Sequence, residues 1–131
     1  MPVEVTRLEP RLYLNVSSRA VRMAEISDAV QEMARMATEH NDEYYVIISD
    51  ASAMTNIPLD IRALRALADL DPRLIAMLLV KPPYLATVAV NIISRVSALI
   101  FEHYDSREAA LERAHYLLRA KEEKLREKKD G

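Results

Sequence analysis

Residues 44–60 read YYVIISDASAMTNIPLD, and the reading of this stretch decides the fold. Tyr45-Val46-Ile47-Ile48 is an unbroken apolar run, rich in β-branched residues, that stops at Ser49-Asp50-Ala51-Ser52. With no alternation of polar and apolar positions, it predicts a strand covered on both faces, as in the interior of a parallel sheet. A short polar connection then passes through Pro58 into an amphipathic segment. Proline is tolerated in a first helical turn because the amides there have no intrahelical acceptor. A helix over about 57–70 is expected, with Thr55 or Asn56 as its N-cap. Ile61, Leu64 and Leu67 or Ala68 form its inner stripe, Arg62, Arg65 and Asp69 face water, and Asp71-Pro72 ends it.

The same βα pattern extends outward. Residues 3–8 alternate weakly and read as a first strand, closed by a turn at Glu9-Pro10. In RLYLNV (11–16), Leu12, Leu14 and Val16 share one face and Tyr13 and Asn15 the other, which predicts a half-buried strand antiparallel to the first. Met23, Ile26, Val30, Met33 and Ala37 recur at helical spacing over 23–40, and His40-Asn41-Asp42 closes that helix. LIAMLLV (74–80) is a second fully apolar strand, stopped by Lys81-Pro82-Pro83-Tyr84. Leu85, Val88, Ala89, Ile92, Ile93 and Val96 repeat as a third helix. Residues 84–101 are long enough to raise a membrane span, but they carry Asn91, Ser94, Arg95 and Ser97. An arginine at the bilayer centre costs ~2.5–3.5 kcal/mol, so a helix followed by a strand over 98–104 is the better reading.

Asp105 and Glu108 have capping-box spacing at the start of the last helix, whose inner face is Ala110, Ala114, Leu117 and Leu118. Beyond Leu118, RAKEEKLREKKDG has almost nothing to bury, so a tail that projects and frays is expected. Leu111, Leu118 and Leu125 lie seven apart, but Lys121 interrupts the seam and a coiled coil is not expected. The organisation is then a single α/β domain over 1–118 and a charged helical tail over 119–131. Its sheet is mixed and mostly parallel, of about five strands with about four helices.

Composition removes several function classes. The net charge of −2 disfavours nucleic acid, which demands a basic surplus. Without cysteine there is no disulfide, thiolate nucleophile or cysteine metal site. The one glycine is Gly131, so a P-loop, a GxGxxG site and a GxSxG elbow are all ruled out. No two of His40, His103 and His115 are three or four apart, so there is no helical metal clamp, and neither metal nor cofactor is expected. Ser52, His103 and Asp50 can be assembled on paper into a triad, as can be done in most chains of this length. Glu102 and Asp105 do not read as an acid/base pair, and no catalytic residue is nominated. The start, MPVEVTRLEPRL, lacks the basic and apolar regions of a secretory signal, so a cytoplasmic location is expected.

Several of these pieces together resemble a known family: the strand-plus-acid YYVIISDAS, the helix IRALRALADL, the strand LIAMLLVK, the helix containing VAVNII, and the closing FEHYDSREAALERAHYLL. Over most of residues 10–118 they look like the STAS fold of the bacterial anti-anti-sigma factors, and more closely like small SpoIIAA-like (STAS-like) proteins. The resemblance implies a regulatory or protein-interaction module of a bacterial cytoplasm. Anti-anti-sigma factors open the helix after the central strand with Asp-Ser-Ser-Gly, and a partner kinase phosphorylates a serine there. This chain has Asn56-Ile57-Pro58-Leu59-Asp60-Ile61 instead. Its nearest hydroxyls are Ser52 and Thr55, and Thr55 is the phosphorylation candidate, since helix N-termini favour anions.

In open α/β sheets, ligands bind beyond the carboxyl ends of the strands. Those ends are Ser49-Asp50-Ala51-Ser52, Lys81-Pro82-Pro83-Tyr84 and His103-Tyr104-Asp105. Asp50, Lys81, Tyr84 and His103 are expected to share one shallow edge, joined by Ser52, Met54, Thr55 and Pro58 as binding residues. The blander reading, that Asp50 and Ser52 satisfy loop amides while Lys81 is solvated, is preferred; Met54 either forms an exposed contact patch beside Ile57 or plugs the sheet end. The expected function is non-enzymatic presentation of this loop and helix start to an unknown partner protein or a small anion. A homodimer is expected, with Val90, Ile93 and Leu118 as contact residues. The alternative is a small-ligand or lipid-binding protein with an apolar cavity lined by Leu79, Ile92 and Ile93. An enzyme using the strand-end residues is the third reading.

Overall fold

Each apolar strand needs cover on both faces, and the order of the sheet determines which helix supplies it. The computed structural model describes residues 3–18, 20–55, 61–95 and 98–130. In chain order they form β1 (Val3–Glu9), β2 (Leu12–Ser17), α1 (Met23–Glu39), β3 (Tyr45–Asp50), α2 (Ile61–Ala68), β4 (Leu74–Val80), α3 (Tyr84–Ser94), β5 (Ile100–Tyr104) and α4 (Arg107–Asp130). The sheet order is β1-β2-β3-β4-β5, with β1 antiparallel to β2 and the remaining neighbours parallel. Every crossover therefore steps in the same direction, and right-handed crossovers then place their helices on one face. Val30, Met33 and Ala37 of α1 and Ile93 of α3 share a core with Tyr13, Tyr45, Ile47 and Leu74. The short α2 lies against both α1 and α3.

The opposite face belongs to α4. Ala110, Ala114 and Leu117, at helical spacing, pack on Leu12, Leu14, Val46, Ile48, Ala76, Leu78 and Val80. The two alanines are fully buried, which brings the helix close to the strands. Ser106 caps α4 by accepting a hydrogen bond from the Ala109 amide at 3.1 Å. The cap is therefore one residue later than the expected Asp105, and with Ala109 in the third helical position it is a single hydrogen bond and not a capping box. The helix continues to Asp130. Ala120, Lys121 and Lys124 flank a groove with Asp71, Pro72 and Leu74, so the first turns of the tail still border the domain. Among the described residues, no helix is long and apolar enough to cross a membrane.

β2 corrects the sequence reading. It is buried on both faces instead of one, with Tyr13 fully enclosed. The reason is its position: β2 lies between β1 and β3, under α1 on one side and α4 on the other. Its polar positions misled because Tyr13 has a buried partner. The Tyr13 hydroxyl donates to Asp42 Oδ2 at 2.5 Å, and Arg7 binds Asp42 Oδ1 at 3.0 Å. A second set repeats the arrangement: the Tyr45 hydroxyl donates to Asp71 Oδ2 at 2.8 Å, and Arg73 pairs with the same carboxylate at 2.7 Å. Arg73 also donates to Thr38 Oγ1 and to the Ala34 carbonyl, tying α1 to the start of β4. The two tyrosine rings meet edge to face, with centroids 5.3 Å apart.

These aspartates make stability depend on pH. Burial pushes both carboxyls up, but Arg7 and Tyr13 at Asp42, and Arg73 and Tyr45 at Asp71, outweigh it and hold both below the ordinary 3.8. A carboxyl depressed in the folded state contributes stability that is complete above its ordinary pKa and lost as the pH falls through the lower folded value. Burial and the Asp42 hydrogen bond push Tyr13 up to about 12. Its contribution is present below the ordinary tyrosine pKa and lost as the pH rises through about 12. Denaturant unfolding of Asp71→Ala should show a loss of ~3 kcal/mol at neutral pH, because Tyr45 and Arg73 both lose their acceptor. Its deficit relative to wild type should shrink below pH 3.8.

Candidate functional site

The parallel strands end together. Val16, Asp50, Val80 and Tyr104 are in register across β2 to β5, and the preceding row is Asn15, Ser49, Leu79 and His103. Adjacent rows point to opposite faces. Asp50 accordingly lies on the α4 side with Val80, while His103 belongs to the row facing α1 and α3. The expected convergence of Asp50 and His103 does not occur, for this reason of parity.

Asp50 is 5% exposed and its carboxylate is occupied. Oδ1 accepts from the Ser52 amide at 3.0 Å and the Ser52 hydroxyl at 2.6 Å, and Oδ2 accepts from Arg107 at 2.5 Å. Burial pushes the carboxyl up, but these donors prevail and hold it below its ordinary value. Asp50 thus fastens the loop after β3 to the first turn of α4, an Asx-type structural role. Of the expected residues, Asp50 and Ser52 are the pair brought together. Lys81 is exposed and takes a left-handed conformation (φ 48°) immediately after β4, where its amide donates to the Tyr104 carbonyl at 2.8 Å. Tyr84 begins α3 and is 80% exposed. His103 and Thr55 are exposed. Met54 is half-buried against Val3, Val21 and Ala29, plugging the sheet end. Pro58 and the expected cap Asn56 lie outside the described residues, as do the side chains expected to form the inner stripe of α2.

Glu102 is also committed to packing. Arg113 binds it at 2.9 Å and Tyr104 donates to it at 2.7 Å; the Arg113 guanidinium holds its carboxyl below the ordinary range. Among the described residues, no cluster of three histidine or acidic side chains is placed to hold a metal.

Two features at this edge were expected in outline and differ in the residues that form them. The first is a cavity of about 90 Å³ between the sheet and helices α1 and α3. Ala29 and Val30 of α1, Ala86, Ala89 and Ile93 of α3, and Leu79 of β4 line it, with Met54 entering from the loop. The alanines leave space that longer side chains would fill. Leu79 and Ile93 match the expected lining. Ile92 does not, being 43% exposed on the outer side of α3. Asn15 and Ser49, paired across β2 and β3, contribute polar groups to the wall. Asn15 Oδ1 is buried without a hydrogen-bond partner.

The second is the outer face of α3. Tyr84, Leu85, Val88 and Ile92 are all exposed there, so the helix is apolar on both sides. Val90 and Ile93, expected as contact residues, are instead buried, because their positions on the helix face the sheet. Leu118 packs against the core beneath α4.

Comparison of the chain with protein-family models, with curated proteins and with solved structures gives no match.

The Asp50 arrangement makes an asymmetric prediction. Asp50→Ala should lower the unfolding free energy by ~1–2 kcal/mol, since the Ser52 amide and hydroxyl and Arg107 all lose their acceptor. Arg107→Ala should cost less than ~1 kcal/mol, because Arg107 is 52% exposed and its pairing is screened by water. Urea titrations of the two variants beside wild type measure the difference.

Proposed function

We propose that this chain is a non-enzymatic STAS-like domain that acts as a regulatory or protein-interaction module. The observation that carries the reading is the outer face of α3. Single exposed apolar residues are ordinary, but Tyr84, Val88 and Ile92 recur every four residues, with Leu85 beside them, on a helix whose inner face is already in the core. Full burial of such a side chain is worth ~1.5–3 kcal/mol and about half of each remains exposed, so covering the stripe yields ~1 kcal/mol per residue and drives association in combination. The sequential strand order and the loop tied down by Asp50 are compatible with the family resemblance. Strand-end side chains that are separated between two faces or already hydrogen-bonded favour binding over chemistry. The simplest occupant of the α3 face is a second copy, packed about a twofold axis so that the same stripe meets itself.

Light scattering coupled to size exclusion tests this. The wild-type chain should elute as a dimer and Val88→Glu as a folded monomer that melts cooperatively, at a lower temperature by the stabilisation the dimer supplied. A wild-type monomer at high protein concentration would contradict the dimer, and a Val88→Glu dimer would remove α3 as its interface. A second reading, small-ligand binding, is favoured by the cavity beside Asn15.

A further inference from the structure

We propose that the cavity between the sheet and helices α1 and α3 binds a small, neutral, mostly apolar molecule bearing one hydrogen-bond donor, which Asn15 Oδ1 accepts. The inference rests on the small-ligand reading and is independent of association through α3.

Asn15 is 7% exposed, and its Oδ1 has no hydrogen-bond partner. Buried polar side-chain atoms in folded proteins are nearly always paired, so an orphaned acceptor calls for an explanation. The other such atom among the described residues, Arg11 Nε, belongs to a guanidinium stacked 4.9 Å from the Tyr44 ring centroid. Asn15 has no comparable compensation. It does have space: the cavity it lines measures about 90 Å³. A single water needs only ~10–15 Å³ by a comparable measure. Water would satisfy Asn15, with Ser17 and Ser49 on the same wall as further partners, but the wall away from the sheet is alkyl and gives water nothing to bond. An apolar body with one donor matches both parts of the wall.

The lining also sets the charge of the ligand. Among the described residues, no aspartate, glutamate, lysine, arginine or histidine contributes to it. An ion would enter without a counter-charge and lose its hydration, so the occupant is neutral. Phe101, Met54 and Met77 on the wall offer a ring and two thioethers, surfaces that pack well against a flat aromatic body. Phenols and small alcohols are the chemical class that fits.

Phenol and toluene are suitable probes: nearly the same shape, with and without a donor. Their titration is followed in protein labelled with ¹³C at the methionine methyls. Met54 and Met77 line the cavity, whereas Met33 and Met36 belong to the adjoining core cluster without lining it and serve as controls. Phenol should shift Met54 and Met77 and leave Met33 and Met36 in place. The preference for phenol over toluene should fall by about tenfold in Asn15→Leu, which removes the acceptor at similar volume. Asn15→Leu also removes an unpaired polar group, so it should melt at or above the wild-type temperature. Ala89→Leu, which fills the cavity, should abolish the methionine shifts.

If both probes bind wild type and Asn15→Leu with the same relative affinity, the cavity binds small molecules but the donor assignment to Asn15 is wrong. If neither probe moves Met54 or Met77, the site holds water or nothing, and the small-ligand reading fails with it. Shifts that survive Ala89→Leu would place the probe outside the cavity and overturn the proposal.

Discussion

The structure depends on one constraint: strands without a polar face must be covered twice. β3 and β4 are apolar along almost their whole length, and β2 joins them between the two layers. Because the strands lie in the sheet in chain order, the crossover helices collect on one side. The other side is covered by α4, which follows β5. The two layers are therefore built differently. α4 lays a close seam of Ala110, Ala114 and Leu117 over the middle of the sheet. The opposite layer is assembled from three shorter helices that must share the surface. Both the cavity and the uncovered face of α3 arise in that layer.

Within that layer the two ends of the sheet contrast. At the amino end, Tyr13 and Tyr45 carry hydroxyls deep into the core, and Asp42 and Asp71 receive them. Each aspartate is in turn held by an arginine. This end is saturated with hydrogen bonds and anchors α1. Two residues further along β2, on the same face, Asn15 has no such partner, and the side chains opposite it shrink to alanine. Structural polarity is satisfied internally where the helices are pinned, and left open where the parallel strands end. That carboxyl edge is where open α/β sheets place their ligands, for reasons of topology alone.

Much of this was legible in the sequence, because the strongest signals are local. Unbroken apolar runs at 45–48 and 74–80 identify strands buried on both sides, and helical spacing of Val30, Met33 and Ala37 identifies the face that covers them. The structural role of Asp50 and Ser52 follows from the habit of aspartate to bond amides two residues on. What escaped depends on partners distant in sequence. Tyr13 reads as a polar-face residue until Asp42, twenty-nine positions away, is brought beneath it. Asn15 looks like an ordinary exposed amide in RLYLNV, and only the arrival of α1 and α3 encloses it. Val90 and Ile92 are both apolar and two apart, so only the rotation of α3 on the sheet decides that Val90 is buried and Ile92 exposed. The cavity is a sum over alanines on two helices, and no single stretch of sequence announces it.

The two layers are filled unequally, tightly under α4 and incompletely under α1 and α3. Xenon enters dry apolar cavities and reports their position directly. In crystals pressurised with xenon, the account predicts an ordered xenon among Leu79, Ala89 and Ile93, and none between α4 and the sheet. Xenon beneath α4, or its absence from the α1/α3 layer, would contradict it.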